Sequence, residues 1–416
     1  METSHPSGVY RGARSRVLFI SHDMLWPAVG GGRIRCAKLL HRALDETRID
    51  LVVVAPDADV SRHLTAVPDL SGLRTDVFVD ESAPGPGPDR ASGPATAHLR
   101  RLAVQGAGYD VVHLEGHYLL KLVPPELLAR TVIVDHNIES QLLEQLAETG
   151  EPVSEDQIAI LRGSEQRAWR LAGAVVALSP EDAAEMRRRE PTVLPHLIPN
   201  GWDHLPAGSG KPDDEGYLVS PRLLFLADYD YPPNRDAFVW LVTDIFPRIR
   251  EHIPGAHLVL AGVNLSPDLA SLASECPGAD IRGYVSDLPA ELDRSDIVLC
   301  PLRIGGGVKV KVIEAIRRAC LLVSTTVGGI EGIPEPLRSA VCFADDAAAF
   351  AGHVVRLCAA PQERRQRRAQ LRNNQSAAPT WEESSVRMMQ LWSQLSVSVD
   401  RTPRGRGTSS SSAVGE

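Results

Sequence analysis

The chain has 416 residues, 43% of them hydrophobic, and a formal net charge of −9. That length exceeds what one core usually covers, so two domains are expected, and the acidity speaks against a nucleic-acid surface. No apolar run approaches the length needed to cross a bilayer and no signal-peptide pattern opens the chain, so a cytoplasmic protein is expected, whose six scattered cysteines read as buried, reduced thiols.

Residues 1–14 are polar and are expected to be disordered. Residues 16–21 read as a first strand, 22–32 as a loop ending in Gly30-Gly31-Gly32, and 33–44 as a helix. Residues 49–55 and 75–79 are short, β-branched strands. Residues 83–94, crowded with proline and glycine, read as a flexible surface loop. Two more strands, 109–114 and 131–134, run into polar residues, Glu115-Gly-His117 and Asp135-His136-Asn137. Residues 138–171 read as mostly helical, and 173–178 as the last strand of this half, before a helix from Ser179-Pro180.

Leu197-Ile-Pro-Asn-Gly-Trp-Asp203 closes a domain spanning 15–203, and 204–220 reads as an interdomain linker. The pattern then restarts over 221–378. Strands at 222–227, 257–261, 280–284, 296–300, 321–325 and 340–343 alternate with helices such as 237–253. Apolar strands separated by helices imply an α/β protein with a doubly wound parallel sheet in each half. Two such sheets leave a central cleft, and each binds ligands beyond the C-terminal ends of its strands. A last helix, within 379–396, is expected to cross back to the first domain, and 397–416 to be a disordered tail. The basic stretch 364–372 reads as a solvated helix face.

The most informative stretch is Pro301-Leu-Arg-Ile-Gly-Gly-Gly-Val-Lys-Val-Lys-Val-Ile-Glu-Ala-Ile316. A buried strand runs into three glycines and then into apolar residues at helical spacing. Backbone N–H groups at such a helix start favour an anion, most often a phosphate. Lys309 and Lys311, two of only five lysines in the chain, fall in the first turn, where a cation opposes the helix dipole and calls for a partner. Glu314 follows one turn later. The competing interpretation is a tight turn with two solvated lysines.

In this order the motifs resemble those of GT-B glycosyltransferases, most closely retaining family 4, the glycosyl transferases group 1, over roughly residues 16–395. The resemblance rests on Ile198-Pro-Asn-Gly-Trp-Asp203, Pro233-Asn234 with Asp236, Gly283-Tyr-Val-Ser-Asp-Leu288, Gly305 to Ala315, and Val323-Ser-Thr-Thr-Val-Gly-Gly329. It implies a nucleotide-sugar donor on the second domain. Gly305, Gly306 and Gly307 would bind its diphosphate with Lys311; Glu314 would accept from the ribose hydroxyls; the backbone of Tyr284 and Val285 would face the base. No cofactor and no metal are implied. Two departures stand out. Gly306 occupies the place of a family glutamate, and Asp228-Tyr-Asp230 with Asn234 that of the usual arginine, for which Arg235 or Lys309 is a candidate substitute.

On the first domain, Gly31, Gly32 and Arg33 resemble the flexible loop that faces donor phosphate and acceptor. Glu115, His117 and His136 are the candidate catalytic residues, whereas His113 is expected to point into the core. An inverting enzyme would need a general base, with His22 and Asp23 also placed for it; a retaining one can use the leaving phosphate. Asp228-Tyr-Asp230 also invites reading as a metal-binding D-x-D. A dehydrogenase would need a G-x-G-x-x-G in the first unit, which is missing. A nucleotide-sugar epimerase and an inactive partner subunit are the alternatives. The acceptor is open between polysaccharide precursor, lipid and secondary metabolite, with at most peripheral membrane contact. The arginine- and alanine-rich, lysine-poor composition suggests a bacterial source.

Overall fold

The computed structural model describes residues 15–400 except 29, 64, 66–69, 71, 83–90, 105–107 and 205–215. The expected disordered N-terminus, most of the 83–94 loop, most of the linker and the tail beyond 400 therefore lie outside the described residues.

The first sheet contains β1 (Arg16–Ser21), β2 (Arg48–Ala55), β3 (Leu73–Val79), β4 (Val111–Glu115), β5 (Thr131–Val134), β6 (Ala174–Ala177) and β7 (His196–Leu197). Its order is β3-β2-β1-β4-β5-β6-β7, with every neighbouring pair parallel. Between the strands lie α1 (Gly31–Ala43), α2 (Asp57–His63), α3 (Gly93–Val104), α4 (Glu139–Glu148), α5 (Glu155–Leu171) and α6 (Pro180–Arg189), with 3₁₀ turns at His117–Leu122 and Pro125–Arg130. The second sheet contains β8 (Arg222–Asp228), β9 (His257–Val263), β10 (Ala279–Gly283), β11 (Ile297–Cys300), β12 (Leu321–Ser324) and β13 (Cys342–Phe343), in the order β10-β9-β8-β11-β12-β13, again all parallel. Its helices are α7 (Pro232–Trp240), α8 (Phe246–His252), α9 (Pro267–Ser274), α10 (Leu288–Arg294), α11 (Val310–Arg317), α12 (Thr326–Gly329), α13 (Glu335–Arg338), α14 (Ala347–Ala359) and α15 (Pro361–Asn373). The expected doubly wound architecture is what forms: the central strands are mostly apolar because helices cover both faces, with His113 and Glu115 of β4 as buried exceptions.

Each sheet reverses its strand order once, between β1 and β4 and between β8 and β11. A crevice opens at such a reversal because the flanking connections depart to opposite faces. The loops after β1 and β4, and after β8 and β11, therefore define the cleft.

The final helix, α16 (Trp381–Asp400), leaves the second domain and packs on the first. Met388, Leu391, Trp392 and Leu395 are buried with Val17, Phe19, Leu39 and Val132 in one cluster. Gly201 makes this return possible, since a β-carbon there would stand 2.3 Å from the Trp381 backbone. Trp202 N–H donates to the Pro379 carbonyl at 2.8 Å beside it.

Several boundaries differ from expectation for local reasons. Helix α1 begins at Gly31, so the loop after β1 ends earlier, at Gly30 with φ 91°. Residues 93–94 belong to α3 rather than to the loop: Ser92 Oγ accepts from the Ala95 N–H at 3.3 Å, and proline is tolerated in a first turn. The 138–171 helix is two helices, broken at Gly150 (φ 88°) and restarted by a Ser154–Gln157 capping box. The pair β6–β7 adds a strand after the expected last one. Helix α16 continues through 400. The basic stretch 364–372 is not simply a solvated face, because Arg364 and Arg368 are fully buried. Arg364 donates to the Leu357 and Cys358 carbonyls at 2.8 and 2.9 Å, closing the C-terminus of α14.

Candidate active site

The glycine loop bridges the two domains. Gly305 and Gly307 have φ of 126° and 70°, conformations that favour glycine. Ile304 is buried among Leu142, Leu143, Leu146 and Leu161 of α4 and α5, a contact of about 1.5–3 kcal/mol. The Gly305 N–H donates to Gln145 Oε1 at 2.7 Å. A β-carbon on Gly306 would lie 2.4 Å from Asn137 Oδ1, and one on Gly307 2.4 Å from the His136 carbonyl oxygen. Across the cleft, a β-carbon on Gly31 would meet Val310 Cγ2 at 2.8 Å. Each glycine stretch thus lacks side chains where the other domain approaches, the glycine loop at His136 and Asn137 and Gly31 at Val310.

Both lysines have partners, but they are protein oxygens. Lys309 is the N-cap of α11, just ahead of its first turn, and its ammonium donates to the Gly306 and Gly307 carbonyls at 3.0 and 2.7 Å. Glu331 lies 3.6 Å from it. Burial pushes the Glu331 carboxyl up to about 7, helped by Asp182 and Glu181 of α6 and opposed by Lys309. Lys311 donates to the Leu226 carbonyl at 3.0 Å and to Asn234 Oδ1 at 2.8 Å. Asn234 in turn donates to the Asp228 carbonyl at 2.8 Å. Lys311 therefore ties the helix after β11 to the loop after β8, across the strand reversal. Burial and neighbouring Lys309 hold its ammonium below the usual lysine range.

The remaining residues of the second domain divide. Glu314 accepts from Arg317 Nε at 2.8 Å, and Arg317 also donates to the Asp203 carbonyl at 2.9 Å. Tyr284 is exposed and Val285 partly buried, just beyond Gly283 at the end of β10. Arg235 does not join the glycine loop; its guanidinium pairs with Asp268 at 3.0 Å. Asp228 accepts from the Asn264 side chain at 2.9 Å and from the Asp230 N–H at 3.2 Å, an arrangement of a turn rather than of a metal pair.

On the first domain, Arg33 makes a two-pronged contact with Asp23, at 2.9 and 2.6 Å. Its charge is thereby engaged beside the cleft. Glu115 and His117 are almost fully buried, so neither offers an open side chain to the cleft. His117 Nδ1 lies 3.1 Å from Asp135 Oδ1, whose other oxygen accepts the Trp169 indole N–H at 2.6 Å. Burial lowers and Asp135 raises the His117 imidazole, with a net upward shift. Glu115 sits between His113 Nε2 at 2.8 Å and His136 Nε2 at 2.5 Å. Burial pushes its carboxyl up, but the two imidazoles outweigh this and hold it well below the usual carboxylate range. His136 is the partly exposed member. A β-carbon on Gly32 would stand 3.6 Å from its Cε1 and 3.7 Å from its Nδ1. His113 is buried, as expected, stacked on Phe19.

Among the described residues, one group of three could converge on a metal ion, Cys36, Glu115 and His136, with ligand atoms within 4.8 Å of one another. An ion there would have to part the Glu115–His136 contact. Sequence reading missed Asn137, Gln145, Asp135 and Glu331. Asp135 and Asn137 end a strand beside His136, a usable signal; Gln145, inside an ordinary helix, gives none.

Residues 220–360 match the family of Glycosyl transferases group 1. An uncharacterized 44.6 kDa protein in the cps region of Klebsiella pneumoniae is 27% identical over 159 residues, 36% of this chain and 41% of that protein. The match thus spans about two fifths of its length. Among solved structures, sucrose-phosphate synthase from Thermosynechococcus elongatus superposes with a TM-score of 0.68 at 18% identity, covering 92% of this chain and 100% of that one. Anabaena HepE in complex with UDP and glucose gives a TM-score of 0.63 at 12% identity, covering 91% and 100%. Likenesses at these identities establish the fold, and the family match covers the sheet that carries the glycine loop. The chain has the fold of the GT-B glycosyltransferases, and its residues 220–360 match the family model of Glycosyl transferases group 1.

Proposed function

We propose that the protein transfers a sugar from a nucleotide-diphosphate sugar to a hydroxyl-bearing acceptor, with retention of anomeric configuration and without a metal. One observation carries this reading: a glycine loop and the N-terminus of α11 stand at the strand reversal of a glycosyl transferases group 1 domain, with Lys311 beside them. As the glycosidic bond breaks, the diphosphate gains charge. Backbone donors and an ammonium already in place stabilise it without reorganisation, commonly the largest catalytic term. Lys311 would exchange one of its two protein acceptors for phosphate oxygen. Glu314 would take the ribose hydroxyls and the backbone at Tyr284 and Val285 the base. HepE, of the same fold, is described in complex with UDP and glucose, which supports a nucleotide-sugar donor here.

Retention fits the buried state of Glu115 and His117. Neither is free to approach an acceptor hydroxyl, and in our reading the leaving phosphate takes the proton rather than His136, the partly exposed member of the three candidates. The Gly306 departure is met by Asn137, whose amide oxygen fills the space above that glycine. We place the enzyme in a bacterial cytoplasm; no described helix is long and apolar enough to cross a membrane. The acceptor is a polysaccharide precursor, lipid or secondary metabolite.

The test is calorimetric titration with UDP, GDP, TDP and ADP, repeated with Lys311→Ala. Saturable binding of one nucleotide, weakened at least tenfold in the variant, is expected from loss of a charge-assisted contact, about 1.5–3 kcal/mol. No binding to any of the four would refute the reading. Glu314→Ala should raise the donor KM while leaving the fold intact.

A further inference from the structure

Three donor atoms of different chemistry meet where the first sheet reverses its strand order. Cys36 lies in α1, the helix that follows β1; Glu115 is the last residue of β4; His136 stands two residues beyond β5. Strands β1, β4 and β5 are neighbours in the sheet, so these three segments deliver their side chains to one point at its C-terminal edge. The thiol sulfur, a carboxylate oxygen and an imidazole nitrogen all lie within 4.8 Å of one another. Cys36 and Glu115 are 2% and 1% exposed, whereas the His136 side chain is 25% exposed and is the side of the cluster that solvent reaches.

Sulfur, nitrogen and oxygen donors in one cluster match a borderline metal ion. Mg²⁺ and Ca²⁺ take oxygen ligands throughout and Cu(I) prefers soft sulfur, but Zn²⁺ takes all three donors. Its bond lengths place tetrahedral ligands about 3.4–3.6 Å apart. Glu115 Oε2 and His136 Nε2, at 2.5 Å, need to part by about 0.9 Å, and the sulfur needs to come in by at most about 1.2 Å. The ion replaces the proton between Glu115 and His136, which leaves to His136 Nδ1 or to solvent, so it does not matter which of the two groups holds it. His113 Nε2, 2.8 Å from Glu115 Oε1, holds the carboxylate by its other oxygen, the kind of support that metal ligands ordinarily receive from the side chains behind them. The neighbouring Arg35 cation does not take the ion's place, because its guanidinium donates to the Ile198 and Pro199 carbonyls and to Asn200 Oδ1. Three protein ligands leave a fourth position for water, as in open zinc sites.

From this convergence we propose that Cys36, Glu115 and His136 form a Zn²⁺ site in the first domain's wall of the cleft, the ion being held by the Cys36 thiolate, Glu115 Oε2 and His136 Nε2. The site goes beyond sugar transfer, for which we propose no metal, and does not rest on that reading. Binding forms the sulfur–zinc bond and breaks the S–H bond, whose proton goes to solvent. Burial and the Glu115 charge push the Cys36 thiol up, so zinc must displace that proton at neutral pH and affinity should rise with pH.

The experiment uses the full chain, freed of metal with a chelator that is then removed. Zn²⁺ is titrated by calorimetry, and Co²⁺, a spectroscopic substitute for it, by absorbance. The wild-type protein should take up one Zn²⁺ per chain, more tightly at about pH 8 than at about pH 6.5, and Co²⁺ should give the intense near-ultraviolet band of a cobalt-bound thiolate. Cys36→Ala should abolish that band and weaken Zn²⁺ at least tenfold, since loss of a supporting residue alone costs about 10–100-fold. His136→Ala should weaken Zn²⁺ by a like factor, while Cys276→Ala, in the second domain, should bind as wild type does. Zn²⁺ should also raise the Tm of the wild-type protein and not that of Cys36→Ala. No saturable uptake of Zn²⁺, or uptake unchanged in Cys36→Ala, would overturn the proposal, as would cobalt binding without the thiolate band. Should Cys36→Ala not fold, His136→Ala, at the partly exposed ring, and the cobalt band still decide. None of these readouts involves a nucleotide, so their failure leaves the transferase reading standing, and failure of nucleotide binding leaves the zinc site to be judged by itself.

Discussion

Replacing Arg35 by methionine should destabilise the first domain more than any other single change to a charged residue of α1. The guanidinium is fully buried and donates to three oxygens at 3.1 Å: the Ile198 carbonyl, the Pro199 carbonyl and Asn200 Oδ1. Methionine fills much of the volume but leaves all three acceptors without a donor. Each such loss costs about 1–3 kcal/mol. Against this stands the relief of desolvating a cation, a cost visible in the lowered value of Arg35, which burial depresses and Glu115 only partly restores. With two of the three acceptors unable to reach water, the net loss should be about 3 kcal/mol, which for a domain of this size lowers Tm by about 6–12 °C. Scanning calorimetry would resolve the lower-melting transition, and amide exchange should quicken at Trp202, whose N–H bonds to Pro379. A loss below about 1 kcal/mol would mean that these oxygens find other donors, and that the Ile198-Pro-Asn-Gly segment is not held by α1.

Other outcomes follow from the same geometry. Glu331 has its carboxyl raised from an ordinary 4.5 to about 7, so the fold binds that proton more tightly than the unfolded chain does. Its contribution is complete below about 4.5 and is lost as pH rises to about 7. Glu331→Gln should therefore match wild type in Tm at pH 4.5 and exceed it at pH 8; parallel curves would exclude the effect. Gly307→Ala adds a β-carbon 2.4 Å from the His136 carbonyl at φ 70°. The strain, on the order of 2 kcal/mol, should push the glycine loop off the first domain and weaken nucleotide binding in the titration. Gly352→Ala is the control: it lies inside α14 with open space around it, and should raise stability by about 0.5–1 kcal/mol without touching binding.

The sheets were legible because a parallel strand covered on both faces is mostly apolar, and residues 132–134 and 223–227 show that directly. The glycine loop was legible because strand, glycines and helix start lie in one run of sequence. What could not be read is what reaches across. Nothing in residues 301–307 says that Ile304 will be buried on α4 and α5, or that Asn137 will stand over Gly306. Arginine is ordinarily a surface residue, so the stretch holding Arg364 reads as solvated until the Leu357 and Cys358 carbonyls it serves are in place, and nothing in the sequence marks Arg35 as buried. Glu115 and His117 were marked as cleft residues by their position after a strand. Their burial was decided by His113, Asp135 and Trp169, whose approach depends on the finished sheet. The Ile198-Pro-Asn-Gly-Trp-Asp stretch was recognised as a motif, but the reason for it is spatial: Arg35, the start of α16 and Arg317 all converge there.

The return of α16 also has a consequence for how the protein is made. Phe19 emerges from the ribosome some 370 residues before Trp392, yet the two sides of that core need each other. During synthesis the first sheet is exposed along the face that α16 will cover, and it waits through translation of the entire second domain. Domains usually fold as units in the order in which they appear. Here the half made first is the half finished last, so the nascent chain carries an open apolar face until α16 arrives, and a chain truncated between residues 374 and 380 would join a complete second sheet to a first whose α16 face stays uncovered.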